Sequence, residues 1–361
     1  MNKKKITSYE LWPDVIRVVA IFGVVAIHTV NSVYQRPDFF GGLSWWLAII
    51  INSLSRICIP LFIMISGYFM LKRDEKFPDL LKRIITRLFI PLVFWTILVY
   101  ILGNPDSAHV VLTPAFYLRF FSGNVYYFYF LIILIGLYFV TPLLRTFLKN
   151  TSITSQKNLA LGFLVVGIIE TAEEYFIRSC AVENSFTKWV PYTGLFVLGF
   201  LIGTNRIKFK NKKITYLIYF AGLGATLTLN YIYFYLNSMN PSNVLYPGCL
   251  SQYSDYYLSF NVTMMAIPAF VILSKLNYSF IKSKFLKNII YQIARASFGI
   301  YLTHLFVVNI IDYELNLTVD VVRIPLWSYV LAKWLVVFLV SFVFATILRK
   351  TPFLKRLIGG H

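Results

Sequence analysis

Long apolar stretches alternate with short polar ones along the whole chain. Ten stretches read as candidate membrane helices: residues 11–33, 43–71, 86–103, 124–144, 158–176, 189–204, 214–236, 255–275, 295–313 and 324–348. A helix needs about 20 mostly apolar residues to cross the hydrocarbon core of a bilayer, and several of these runs are long enough. The sixth is short. The second contains Pro60, which kinks a helix or loosens one turn. The pattern predicts an all-α fold, a polytopic membrane helix bundle of about ten transmembrane helices. No internal repeat and no Gly/Ser-rich linker is visible, so residues 1–361 read as a single integral membrane domain.

Composition agrees: 58% of residues are hydrophobic, and the mean hydropathy is +0.68. The formal net charge is +19. The Lys and Arg side chains lie in short loops between apolar spans, not on a soluble basic face, and this argues against a nucleic-acid partner. With a cytoplasmic N-terminus, 26 of the 34 basic residues fall in inside loops and tails. Five fall outside (Arg36, Arg119, Arg178, Lys188 and Arg323), and Arg17, Arg56 and Lys333 lie within spans. That bias alternates across all ten spans and predicts both termini in the cytoplasm, in a multi-pass protein of the cell (plasma or inner) membrane. Lys3, Lys4 and Lys5 precede the first span as they would a signal peptide. The apolar run there is longer than a signal core and reads as a retained helix.

Three cysteines show no metal-ligand spacing. Cys58 is in an apolar span; Cys180 and Cys249 fall in expected outside loops, where two free thiols or a disulfide both fit. Segments 104–123 and 237–254, also outside, are rich in Tyr, Phe, Asn, Ser and Pro. They suit an aromatic interface belt, and equally contact with a neutral sugar.

Polar residues inside the membrane are expensive and mark function by default. Arg17 and His28 are eleven residues apart on the first span. Eleven helical steps make about 1100°, three turns plus roughly 20°, so both side chains share a face about 16 Å apart in depth. Asp14 precedes Arg17 by three positions and can pair with it. An ordinary ion pair, or snorkelling to the cytoplasmic surface, also accounts for Arg17. His28 lies too far out to snorkel, although a lone histidine also serves as a helix-packing hydrogen bonder. Arg56 falls at a comparable depth on the second span, where Ser66 and Gly67 allow another backbone to approach. His304 follows Arg295 by nine residues, about 13 Å into the ninth span. Glu170, Glu173 and Glu174 end the fifth span near the outer surface.

Several of these segments form an ordered set. Asp14-x-x-Arg17 is followed by ten residues and His28. Then come Pro60-Leu-Phe-Ile-Met-Ile-Ser66-Gly67-Tyr68 and Lys82-Arg83-Ile-Ile-Thr-Arg87-Leu-Phe-Ile-Pro91. Further on are Phe130-Leu131, Gly136-Leu137-Tyr138 with Thr141-Pro142-Leu143, Tyr192-x-Gly194-x-Phe196-x-x-Gly199, and Ser297-x-Gly-Ile-Tyr301-Leu-x-His304. Together they resemble the membrane-bound acyltransferase-3 family, whose members O-acylate surface glycans. The likeness runs from about residue 9 to 348. One departure stands out: Tyr127 occupies a position where many relatives have histidine, and Phe128-Tyr129 replace the usual Leu-Trp.

The resemblance implies an O-acyltransferase that moves an acyl group, by family habit acetyl, from cytoplasmic acyl-CoA to a hydroxyl of an extracytoplasmic surface glycan or lipid-linked precursor. No permanently bound cofactor and no metal is expected; the partners are acyl-CoA, the glycan acceptor and the bilayer. In that reading Arg17 holds the donor, and Lys82, Arg83 and Arg87, with Ser66, form the rest of its site. His28 acts as general base or carries the acyl group. Arg56 stabilises the oxyanion, and His304 orients His28 or shuttles a proton. A polysaccharide exporter without bond chemistry is the competing class, but no inverted repeat of the transporter kind is present. Reporter fusions after residues 110, 208 and 361 should read outside, inside and inside. An outside signal at residue 361 would overturn the ten-span topology.

Overall fold

A proline has no N–H to give the carbonyl four residues before it, and its ring crowds that carbonyl. Two such prolines shape the site region. The computed structural model describes residues 10–103, 113–114, 128–178, 186–239, 252–321, 323–352 and 354–359. Among these residues there are helices and no strands. The chain runs through α1 (Trp12–Tyr34), α2 (Leu43–Ser55), α3 (Cys58–Lys72), α4 (Phe77–Ile84), α5 (Ile90–Gly103) and α6 (Tyr129–Asn150). It continues through α7 (Ile153–Phe176), α8 (Thr193–Gly203), α9 (Lys212–Met239), α10 (Phe260–Lys275), α11 (Lys284–Asn309) and α12 (Leu326–Lys350).

Pro60 cannot bond the carbonyl of Arg56, and helical structure lapses at Arg56–Ile57 before Leu61 N–H resumes the ladder on Ile57 at 2.9 Å. The loosened turn expected from Pro60 therefore lies at Arg56. It divides α2 from α3 within one membrane-length segment, Leu43–Lys72. Pro91 stands in the same relation to Arg87. There the chain widens into a π-helical turn, Ile85–Phe89, between α4 and α5. Such turns often sit at functional positions.

Among the described residues, eight segments are long and apolar enough to cross a membrane. The two other expected spans are helical as well. Residues 158–176 lie in α7, whose 24 residues begin with Ile-Thr-Ser-Gln-Lys and end with three glutamates among apolar turns. Residues 189–204 become a short turn at Val190–Tyr192 and the 11-residue α8. At about 1.5 Å per residue α8 alone does not cross the hydrocarbon core. With Val190–Tyr192 it forms the short apolar segment Val190–Gly203, and it is a central strut, buried continuously from Thr193 to Ile202.

The helices flanking the site start earlier than hydropathy suggests. α4 begins at Phe77, not 86, because its charged residues alternate with Leu80 and Ile84, which are buried. α11 begins at Lys284, not 295, capped by the Ser283 hydroxyl, which accepts from Leu286 N–H at 3.3 Å. Amphipathic turns of this kind dilute an average of hydropathy while keeping a helical face. Cys180, Cys249 and Tyr127 lie outside the described residues.

α3 and α8 hold the centre of the bundle in backbone contact. A Cβ on Gly67 would lie 1.8 Å from the Phe196 carbonyl oxygen, and one on Gly199 would lie 1.9 Å from that of Met64. The reciprocal pair confirms the close approach expected at Ser66-Gly67. α1 packs against α2, α3, α10, α11 and α12, so Arg17 and His28 sit at the heart of the molecule. Gly67→Val or Gly199→Val should destabilise the detergent-solubilised protein by about 3 kcal/mol, the upper end for overpacking, because backbone cannot rotate aside. Gly162 has open space around its Cβ position, so Gly162→Ala should be neutral or slightly stabilising. Equal melting temperatures for the three variants would contradict the α3–α8 contact.

Candidate functional site

A cavity of about 500 Å³ opens between α1, α3, the α4–α5 turn, α6, α11 and the end of α12. Six arginines line it: Arg17, Arg73, Arg83, Arg87, Arg295 and Arg349. No acidic side chain does so among the described residues. The helices bring these arginines together from separated parts of the sequence. Arg73 follows the end of α3, Arg83 closes α4, Arg87 sits in the π-helical turn, Arg295 is in α11 and Arg349 ends α12.

Several of these cations are held from behind. Arg17 Nη1 donates to Asp14 at 3.1 Å, and its guanidinium lies over the Phe69 ring at 4.6 Å from the centroid. Arg83 donates to Glu75 at 2.7 and 3.2 Å, and Arg145 reaches the other oxygen of the same carboxylate at 3.2 Å. Arg145 is further anchored on the Met70 carbonyl through Nε at 3.0 Å and Nη2 at 2.6 Å. Burial opposes ionisation of Glu75, but the bonds from Arg83 and Arg145 prevail and hold its carboxyl below the ordinary range. Arg295 donates to the Tyr291 hydroxyl at 3.0 Å, and Arg349 to Gln292 at 2.9 Å. Burial and the neighbouring Arg83 lower the pKa of Arg73, which reports a crowded positive site.

The other end of the cavity is apolar and aromatic. Phe62, Phe130, Leu134 and Tyr301 line it. Phe130 meets Phe62 at 5.9 Å and Tyr301 at 5.4 Å between ring centroids. Ser66 lines the cavity between the two ends, on the same wall as Tyr138. His304 lies one turn beyond Tyr301 on α11, with ring centroids 5.9 Å apart. His28 of α1 then stands 5.0 Å from His304, also between centroids. On both α1 and α11 an arginine comes first and a histidine follows, so the two helices run in parallel from an arginine level to a histidine level. The depths of about 16 and 13 Å expected from spacing thus converge on one imidazole pair.

Arg56 stands within electrostatic reach of His28. The break at Arg56–Ile57 turns its side chain into a buried polar network. Its Nη2 donates to Asp255 at 2.5 Å, to Asn52 at 2.8 Å and to the Tyr34 hydroxyl at 3.1 Å. Tyr34 donates to Asp255 at 2.7 Å, and Asn52 donates to the other carboxylate oxygen at 3.1 Å. Asn230 adds a longer contact to that oxygen, 3.5 Å, and accepts from Gln252 at 2.9 Å. The Arg56 Nε–H has no acceptor among the described residues.

Arg17, Ser66, Arg83 and Arg87 therefore line one cavity, whereas His304, His28 and Arg56 lie beyond its Tyr301 wall, in that order. Lys82 does not join them. It is exposed and absent from the cavity wall, because one residue along α4 turns it about 100° from Arg83. The cavity arginines Arg73, Arg295 and Arg349 were legible only as topological charges. The partners Asp255 and Asn230 had a signal, since each is polar inside a membrane-length segment.

A family model described as an acyltransferase domain, the acyltransferase-3 model, matches residues 10–349. No curated protein and no solved structure matches the chain. Asp255→Ala would leave the Arg56 charge buried and unpaired, a loss of about 3–5 kcal/mol. Replacing both partners, as Arg56→Met with Asp255→Leu, should recover much of that stability. A single Asp255→Ala variant that melts like the wild type would show that the ion pair does not hold this region.

Proposed function

The chain belongs to the acyltransferase-3 family, and we propose that it is a cell-membrane O-acyltransferase. Its donor is acyl-CoA, with acetyl-CoA the first candidate, admitted from the cytoplasm. Its acceptor is a hydroxyl of an extracytoplasmic glycan or lipid-linked glycan precursor. One observation carries this reading: a cavity lined by six arginines also reaches Phe62, Phe130 and Tyr301, and the His28–His304 pair stands just behind Tyr301. An acyl-CoA has the same order of chemistry, with phosphates at one end, a long slender arm and a thioester at the other.

The arginines attract and orient the phosphates, which guanidinium groups bind through paired N–H donors. Arg83, braced by Glu75, and Arg17, braced by Asp14, hold their positions before the donor arrives. The positive-inside bias puts the arginine level on the cytoplasmic side and the imidazole level in the outer half. At the upper end, the acceptor oxygen attacks the thioester carbonyl. The hydroxyl proton passes to His28, a C–O bond forms, the C–S bond breaks, and the thiolate leaves as CoA thiol once protonated. Arg56 is neutralised by Asp255, yet keeps its Nε–H to offer to negative charge developing on the carbonyl oxygen.

The reading is tested by comparing glycan O-acyl content by mass spectrometry in cells with and without the protein; identical content would contradict it. In the purified protein, His28→Ala should abolish transfer while leaving insertion intact. Arg83→Gln and Arg87→Gln should each raise the donor KM at least severalfold with a smaller effect on kcat, as expected for binding groups. Lys82→Gln, outside the cavity, should leave donor KM unchanged. Equal effects at positions 82, 83 and 87 would point to a diffuse surface attraction, not a shaped site.

A further inference from the structure

His304 is held in one tautomer by the backbone. Its Nδ1 lies 2.7 Å from the Tyr301 carbonyl oxygen and 3.2 Å from that of Ile300. A carbonyl oxygen only accepts, so in the neutral ring the proton sits on Nδ1 and the lone pair on Nε2. The residue is 1% exposed, and Nε2 has no hydrogen-bond partner among the described residues. An unfilled acceptor inside a membrane is costly and calls for a donor. His28 is the titratable ring beside it, 5.0 Å away between centroids. His28 is also less buried than His304.

We infer that His304 is a positioning residue that fixes the tautomer of His28. This rests on the acyltransferase reading above. A modest rotation of the His28 ring lets its single N–H donate to His304 Nε2. The other His28 nitrogen then carries the lone pair and faces the acceptor hydroxyl. The chain of bonds runs from the α11 backbone through two imidazoles to the substrate, with each group's donor and acceptor role set by the one before it. When His28 takes the hydroxyl proton, it becomes an imidazolium that remains hydrogen-bonded to His304. The resulting charge is delocalised against a neutral acceptor, and the proton later leaves with the departing thiolate. His304 never touches the reacting atoms. The logic is that of a base oriented by a third group, with an imidazole as the orienting group in place of a carboxylate.

Two substitutions separate this role from a backbone tie alone, and the histidine tautomer separates it from packing. Asparagine places its amide where His304 Nδ1 lies, so His304→Asn keeps the tie to the Tyr301 carbonyl but removes the distal acceptor. Glutamine places an amide oxygen near the Nε2 position, so His304→Gln keeps an acceptor for His28 and weakens the backbone tie. The expected order is that His304→Asn loses roughly 100-fold or more in kcat with donor KM unchanged, whereas His304→Gln retains most of the activity. A role confined to the backbone tie predicts the reverse order, and finding it would overturn the proposal. Nitrogen-15 NMR of histidine-labelled protein gives a readout that needs no substrate. His28 should show one dominant tautomer in the wild type and in His304→Gln, and a mixture in His304→Asn. An unchanged His28 tautomer in His304→Asn would contradict the inference even if the acyl-transfer reading held. Absence of any transfer by the wild type, with the tautomer shift present, would instead count against the acyltransferase reading alone.

Discussion

Hydrocarbon offers no hydrogen bonds, so every ionisable group placed within a membrane-spanning bundle must be met by another protein group or by a ligand. That constraint organises this molecule. Arg56 answers it with Asp255, Tyr34 and Asn52, and Lys333 answers it with Asp312 at 2.5 Å. Arg145 answers it with the Met70 carbonyl and Glu75. The arginine-lined cavity answers it differently. Six guanidinium groups converge on space with no carboxylate in the described wall. Such a concentration of one charge is stable only near water or an anion, and it is the arrangement expected of a site for a multiply charged anion.

The backbone serves the same end. Pro60 and Pro91 each lack the N–H that would bond the carbonyl four residues back, at Arg56 and Arg87. Both positions belong to arginines in the site region. The first break aims Arg56 into the outer polar network. The second falls in the π-helical turn, which places Arg87 on the cavity wall beside Arg83. Gly67 and Gly199 then lock α3 onto α8. The rigid centre gives Ser66, one residue from Gly67, a fixed place in the cavity.

Much of this was legible in the sequence, and the reasons differ by element. Spacing alone put Arg17 and His28 on one face, because a helix has a fixed rise and turn. The second-span proline gave the break, and Ser66-Gly67 gave the close contact. Hydropathy averaging hid the start of α4, whose charged residues alternate with the buried Leu80 and Ile84, and the start of α11, where the exposed Lys284 and Lys287 dilute the average. It marked α8 as a short span but did not show that α8 is buried on every side, because a buried strut and a membrane helix have the same apolar composition. The convergence of six arginines was not legible. It depends on which helices are neighbours, and an isolated sequence does not say that Arg73, Arg295 and Arg349 face one another. The same holds for the pairing of Arg56 with Asp255, separated by 199 residues. The departure at Tyr127 falls outside the described residues.

The proposed donor and acceptor meet across the bilayer, with the arginine-lined cavity on the donor side and the imidazole pair behind its Tyr301 wall on the acceptor side. Sealed proteoliposomes of known protein orientation test it most directly. Isotopically labelled acetyl-CoA would be confined to the cytoplasmic face and a glycan acceptor to the opposite face, with vesicle integrity measured in the same sample. The account predicts labelled O-acyl glycan in intact vesicles, lost with His28→Ala. Label appearing only when the vesicles leak, or only when donor and acceptor share a face, would contradict it.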